Sequence, residues 1–241
     1  MLISDTPLPR AALHPEARPI CTVDVVIFTV LQERLRVLLA RRAQAPFAGQ
    51  WALPGGYVRV DEDADLAACA RRILREKTGV LAPYLEQLGS WGSAARDPRG
   101  WAATHVYFAL MAAPQADLQP GAMWADADAR PPGEALAFDH ADILAAALAR
   151  LRGKVEYTSL PAYLLPQPFT LPQLQRMYEV VLNRPVDKSG FRTRMLAAGF
   201  LQEAGLQENA TGRPAMRYRL REVDAPAFFP RTFAPRQARS S

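Results

Sequence analysis

Apolar residues gather in short runs along the first two thirds of the chain and recur every three or four positions further on. Cys21–Val30 and Leu35–Arg41 are rich in Val, Ile and Leu with few breakers, and both predict strands. Tyr84–Gly89 and Thr104–Met111 predict two more, with the polar turn SAARDPRG between them. Ala and Leu at helical spacing over Glu134–Leu151 predict a helix packed on the sheet. Leu66, Ala67, Ala70, Ile73, Leu74 and Lys77 mark another helix face, the lysine running its stem along apolar surface. Strands mixed with helices in this order predict an α/β/α sandwich over residues 20–152.

A second unit is expected over residues 170–224. Thr170 and Gln173 form a capping box with Pro172 in the first turn. Leu174, Met177, Tyr178, Val181 and Leu182 then share one helix face, and Asn183-Arg-Pro185 ends it. Asp187 is the expected cap of a second helix, in which Phe191, Met195 and Leu196 face inward and Lys188, Ser189, Arg192 and Arg194 face out. Gly199 is its expected stop. Phe200–Gln207 predicts a strand, Glu208–Gly212 a turn, and Met216, Tyr218 and Leu220 alternate with Arg217, Arg219 and Arg221 in a second strand. Helix, turn, basic helix and basic hairpin is the order of a winged helix-turn-helix. Residues 153–169, with three prolines, read as an ordered connector; residues 1–19 and 225–241 read as an extension and a tail.

Charge sharpens this division. Of the 29 Lys/Arg and 24 Asp/Glu in 241 residues, Gln167–Ser241 holds 12 and 6, so the positive excess lies in the last third. That distribution suits double-stranded DNA as a partner, with wing cations on phosphates and the second helix in a major groove. Two cysteines, no leader-like N-terminus and no long apolar run predict a protein of a reducing, cytoplasmic compartment with no membrane partner.

The chemistry concentrates in residues 49–80, GQWALPGGYVRVDEDADLAACARRILREKTGV. They resemble the Nudix box: a glycine, five residues, a glutamate, seven residues, then Arg-Glu-aliphatic-x-Glu-Glu-x-Gly-aliphatic. The box works by gathering Mg²⁺ around a diphosphate with several carboxylates of one helix. Gly56 and Glu62 stand at the expected five-residue interval, and Arg72, Leu74, Glu76 and Gly79 fit the rest. Ile73 replaces the first helix glutamate and Lys77 the last, and the interval from Glu62 to Arg72 is nine residues instead of seven. With two of three helix carboxylates gone, no catalytic residue is expected and no cofactor is required. Glu62 and Glu76, with the acidic run of Asp61, Asp63 and Asp65 beside them, are the metal ligands to consider if Mg²⁺ is retained.

The whole arrangement resembles the Nudix-related transcriptional regulators of bacteria, the NrtR family. The fragments that carry the resemblance are Ala45-Pro-Phe-Ala-Gly-Gln-Trp-Ala-Leu-Pro-Gly-Gly56, Tyr84-Leu-Glu-Gln-Leu88, Arg96-Asp-Pro-Arg-Gly100 and Phe138-Asp-His140. Leu151-Arg-Gly-Lys-Val-Glu-Tyr157, Phe169-Thr-Leu-Pro-Gln-Leu-Gln175, Asp187-Lys-Ser-Gly-Phe-Arg192 and Gly212-Arg-Pro214 extend it. The resemblance implies a homodimeric repressor of NAD-metabolism genes that reads an inverted repeat and senses ADP-ribose or a related nucleotide. It puts the effector near Arg41, Phe47, Trp51, Gly55, Gly56, Arg72, Glu76 and Lys77, and DNA against Lys188, Ser189, Arg192, Arg194, Arg213 and Arg217.

Bland alternatives accompany these assignments. Trp51 and Phe47 are equally placed to be core residues, Arg72 and Glu76 to form an i,i+4 pair, His105 to be packed, and Asp139 to cap a helix. Lys77 is a candidate substitute for metal charge. A working Mg²⁺-dependent hydrolase of ADP-ribose or NADH type with an appended DNA-binding domain is the competing function, and a protein-binding adaptor the third.

Overall fold

The computed structural model describes residues 18–79, 84–113, 118–129, 135–207 and 214–229. Strand β1 (Ile20–Leu31) is followed by β2 (Arg34–Arg41), β3 (Trp51–Ala52), β4 (Gly55–Tyr57), helix α1 (Leu66–Thr78), β5 (Tyr84–Ser93), β6 (Ala102–Leu110), β7 (Ala122–Asp126) and helix α2 (His140–Val155). A 3-10 turn, Leu160–Leu164, leads to β8 (Phe169–Thr170), α3 (Leu171–Leu182), α4 (Lys188–Ala197), β9 (Leu201–Gln207) and β10 (Ala215–Leu220).

The first seven strands form one mixed sheet in the order β3-β2-β1-β6-β5, with β4 also on β1 and β7 on β2. β1 and β6 run parallel at its centre, and the other pairs are antiparallel. A strand buried on both faces reads as a continuous apolar run, which is why β1 shows little alternation. Its side chains nevertheless divide: Val23, Val25 and Ile27 pack with α1, while Val26, Phe28 and Val30 join the cluster on the other face. β1 pairs with β2 from Phe28 onward, but over Thr22–Asp24 it pairs with β4 instead. That change of neighbour brings the Gly55-Gly56 pair against Asp24, where the site below is built.

Helix α1 is capped by Asp65, whose carboxylate accepts from the Ala68 amide at 2.6 Å, and ends at Gly79 in the left-handed region (φ 72°). Its buried face is Cys69, Ala70, Ile73 and Leu74. Ile73 is 2% exposed, so the position of the first box glutamate points into the core. Burying an aliphatic side chain there is worth roughly 1.5–3 kcal/mol, which a carboxylate would forfeit.

The C-terminal unit is a winged helix: α3 and α4 packed on a small sheet of order β8-β10-β9. The Thr170–Gln173 capping box is present, Asn183 ends α3 in the left-handed region (φ 51°), and Asp187 caps α4 through the Gly190 amide. One apolar cluster runs from the sheet through Tyr163 and Leu164 into Tyr178, Phe191 and Met195, so the two units share a core. Polar links cross the same boundary: Arg152 Nε donates to the Val181 carbonyl at 2.9 Å, and Arg184 pairs with Glu156 at 2.7 Å.

Several expectations need correction. Of the helix foreseen over Glu134–Leu151, Glu134 lies outside the described residues; the helix found starts at His140 and runs to Val155, and Phe138, at φ 56°, stands outside it. Asp139 occupies the cap position, but its carboxylate makes no cap bond because it is engaged by Arg96. Leu196 is exposed, since only Phe191 and Met195 of α4 face the core. β5 continues to Ser93 through a register shift between Gln87 and Gly89. The start of the tail packs on the body: the Phe229 amide donates to the Tyr157 carbonyl at 2.8 Å, and its buried ring lies 5.8 Å from that of Phe200. The Glu208–Gly212 turn and Arg213 lie outside the described residues. Among the described residues no helix is long and apolar enough to cross a membrane.

Candidate functional site

A cavity of about 310 Å³ opens where β1 meets β4, within the size range of small-ligand pockets. Asp24, Gly55, Gly56, Tyr57, Arg42, Arg96, Asp97, Arg99, Phe138 and His140 contribute to its wall. Gly55 is required there by close approach: a Cβ on it would lie 1.8 Å from Asp24 Oδ1.

Asp24 is the one carboxylate in the apolar run of β1 and is 6% exposed. Its Oδ2 accepts from Thr104 Oγ1 at 2.7 Å and lies 4.0 Å from Arg96 Nη2 and 3.7 Å from His140 Nε2. The Leu53 amide donates to His140 Nδ1 at 2.9 Å, so the neutral ring carries its proton on Nε2, on the side of Asp24. Burial pushes His140 below the usual histidine pKa, against the opposing pull of Asp24 and Asp139.

Three arginines converge on this space. Arg96 forks onto Asp139 at 2.8 and 2.9 Å; burial raises the Asp139 pKa, but the fork outweighs it and holds the carboxyl below its ordinary value. Arg99 forks onto Asp97, holding that carboxyl down too, and reaches the Tyr57 hydroxyl at 2.6 Å. Arg42 lies over the Phe138 ring at 4.6 Å and donates to the Pro46 carbonyl. Planar guanidinium groups beside aromatic rings and carboxylates suit a ligand with a diphosphate, a flat heterocycle and sugar hydroxyls. A larger hollow of about 650 Å³ lies between Glu33, Asp126 and α3, but exposed ion pairs line it without any buried polar group converging.

The foreseen effector residues are placed unevenly. Gly55 and Gly56 line the cavity. Phe47, at φ 63°, sits edge-on behind Phe138 at 4.8 Å, and Trp51 packs half-buried against the main apolar cluster. Arg41 is exposed, its Nε donating to the Gly49 carbonyl at 2.8 Å. Arg72, Glu76 and Lys77 lie on α1. Arg72 forks onto Asp63 at 2.7 and 2.8 Å and donates to the Tyr57 carbonyl at 3.1 Å, so Tyr57 joins α1 to the cavity. His105, the other histidine considered, lies 2.8 Å from Ser90 on the neighbouring strand. Sequence reasoning gives Asp24, Arg42, Tyr57, Arg96, Asp97, Arg99, Phe138 and His140 no part in binding. A signal exists for some: Arg96-Asp-Pro-Arg-Gly100 and Phe138-Asp-His140 stand out as fragments, and Asp24 interrupts an apolar strand.

The box pattern implies Mg²⁺, and the side chains present do not fit it. Glu62 and Glu76 both pair with Arg59, and Asp63 with Arg72. Among the described residues no three His, Cys, Asp or Glu groups are arranged to hold a metal ion.

On the winged helix, Lys188, Ser189 and Arg192 are exposed along α4. Arg194 is half-buried, and Arg217, opposite Thr170 in the small sheet, has its Nε buried without a hydrogen-bond partner among the described residues. Arg219 and Arg221 are exposed on β10 and at its end.

Residues 22–152 match the NUDIX domain family model, and residues 161–220 match that of the NrtR DNA-binding winged helix domain. The chain is 45% identical over 217 residues to an ADPR responsive transcriptional repressor of Acinetobacter baylyi, covering 88% of this chain and 86% of the relative. It superposes on Shewanella oneidensis NrtR complexed with a 27mer DNA with a TM-score of 0.80 at 37% identity, over 88% of this chain and 99% of that one. The NUDIX domain of the same Shewanella protein complexed with ADP ribose matches at 39% identity and a TM-score of 0.50, over 56% of this chain and 90% of that one. With a Nudix sandwich, an NrtR winged helix and a relative matched along most of its length, the chain belongs to the NrtR family of Nudix-related transcriptional regulators.

Proposed function

We propose that this protein is a repressor that binds operator DNA through its winged helix and releases it when ADP-ribose, or a nucleotide diphosphate like it, occupies the cavity beside Asp24. The observation that carries the reading is the shared core: a cavity lined by convergent arginines sits on the same packed body as the basic α4. A ligand that favours one packing of that body therefore has a route to the DNA-binding face, provided it prefers that packing. The name of the Acinetobacter relative and the ligand of the Shewanella domain support the choice of ADP-ribose.

In this proposal Arg42, Arg96 and Arg99 neutralise the diphosphate and Tyr57 or Phe138 stacks the base. Gly55 and Gly56 admit the ligand's backbone, and Arg41, Phe47, Trp51, Arg72, Glu76 and Lys77 shape the surroundings. Lys188, Ser189, Arg192, Arg194, Arg213 and Arg217 are the proposed DNA contacts. We take 20–152 as the effector domain, 153–169 as a connector into which α2 extends, and 170–224 as the DNA-binding domain. The active form is a homodimer on an inverted repeat, in the cytoplasm, regulating NAD-metabolism genes. It needs no metal cofactor and does not hydrolyse its effector.

The test is fluorescence anisotropy with the gene's own promoter DNA, across several salt concentrations, with and without ADP-ribose and in EDTA. Salt-dependent binding lost on adding ADP-ribose is expected. Absence of binding at low salt, or Mg²⁺-dependent release of AMP from ADP-ribose at rates typical of enzymes, would overturn the proposal in favour of a hydrolase.

A further inference from the structure

Next to β4 the protein balances its charges internally. Arg59 Nη1 lies 3.0 Å from Glu62 Oε2 and 3.0 Å from Glu76 Oε1. The same residue organises the turn: its amide donates to Asp63 Oδ2 at 2.8 Å, and its carbonyl accepts from the Glu62 and Asp63 amides at 3.0 and 2.7 Å. Asp63 also takes both donors of the Arg72 fork, and Arg72 Nη1 lies 3.5 Å from Glu76. Two guanidinium groups thus meet three carboxylates, with the cation of Lys77 one residue beyond Glu76. The interval from Glu62 to Arg72 exceeds the box pattern by two residues, and Asp63, within it, is the group that closes onto Arg72.

We propose that Arg59 is a built-in cation standing in for a divalent metal ion at the box helix, so that this domain neutralises its remaining box carboxylates without metal and excludes such ions. A hard divalent cation needs several anionic oxygens free to enter its shell and gives up its water reluctantly. Here Glu62 and Glu76 already share a guanidinium, and an entering ion would have to displace it while meeting the Arg72 guanidinium as well. A guanidinium group stays protonated at any working pH, so the charge is permanent. An aliphatic side chain at Ile73, an ammonium group at Lys77 and the guanidinium of Arg59 then make up one change. Two positions of the box have lost their ligand oxygens, and the chain itself supplies the charge those oxygens would have recruited. This inference concerns the protein alone and stands whether or not ADP-ribose is the effector.

The test is titration of the full-length protein with Mn²⁺ alone, followed by the electron paramagnetic resonance signal of the free ion. The parent and Arg59→Lys are expected to take up Mn²⁺ weakly or not at all. Arg59→Gln should bind it at least about tenfold more tightly, through the freed carboxylates. The double variant Arg59→Gln with Glu76→Gln should lose that gain. If Arg59→Gln fails to fold, judged by circular dichroism, Arg59→Met keeps the aliphatic stem and serves in its place. Parent protein binding Mn²⁺ as tightly as the neutral variant, or a folded neutral variant showing no gain, overturns the proposal.

Discussion

Arg176 on α3 and Glu33 at the tip of the β1–β2 hairpin are joined by two N–H···O bonds of 3.3 and 2.8 Å, across the boundary between the Nudix sandwich and the winged helix. Gln32 and Glu33 both have positive φ, 50° and 59°, the geometry of a tight two-residue hairpin, so the glutamate is presented on a rigid tip. Both side chains are exposed, and salt screens such a pair. Glu33→Arg is expected to leave the melting temperature close to the parent's while changing how strongly ADP-ribose lowers DNA affinity. Adding Arg176→Glu to restore the pair in reverse should bring the response back at low salt. An unaltered response in the single variant would show that this contact does not couple the units.

The deeper link across the boundary is Tyr178, fully buried, whose hydroxyl donates to the Thr158 carbonyl at 2.7 Å. Removing the hydroxyl while keeping the ring strands that carbonyl, a loss of about 1–3 kcal/mol. Tyr178→Phe should therefore lower the urea midpoint with little change in slope. A midpoint equal to the parent's would mean that water reaches the carbonyl once the hydroxyl is gone.

At the cavity, Gly55→Ala places a methyl group where Asp24 Oδ1 stands. The carboxylate must move, and with it the bond to Thr104 and the positions of Arg96 and His140. A cost of about 1–3 kcal/mol in stability is expected from the crowding. Calorimetry should show ADP-ribose affinity falling by at least about tenfold. Gly56→Ala is the control, because its added Cβ meets nothing nearer than Ile73 Cδ1 at 4.0 Å, and it should be far milder.

What the sequence disclosed follows from how local each signal is. The capping box of Thr170 and Gln173, the Asp187 cap and the face of α3 depend on residues within two turns, and all are present. The start of α2 is hidden because the Ala/Leu spacing extends back past a residue held at positive φ by tertiary packing, Phe138 against Phe47 and Arg42. Leu196 reads as apolar and inward, but so short a helix buries only one row. The Gly55-Gly56 pair is visible as part of the box. The arginines are not, because Arg42 meets Arg96 and Arg99 only after the sheet brings segments more than fifty residues apart together. Charge in a loop has no period from which its direction can be read.

His140 provides a pH dependence whose sign can be worked out. Burial holds its folded pKa below the unfolded value of about 6.5, although Asp24 and Asp139 pull it upward and Arg96 and Arg42 push it further down. Between the two values the unfolded chain binds more protons than the folded one, so stability rises with pH across that window. The contribution is complete above about pH 6.5 and is lost as pH falls toward the folded value. Asp97 and Asp139, whose pKa values are depressed, act lower, below the ordinary carboxylate range, and do not blur it. His140→Asn keeps an acceptor for the Leu53 amide but cannot titrate, so its urea midpoint should vary less than the parent's as pH is lowered through 6.5. Every other titrating group is common to both proteins and cancels in the difference between the two curves. Parallel curves for parent and variant below about pH 6.5 would mean that the buried ring does not hold a lowered pKa in the folded protein, and would overturn the assignment.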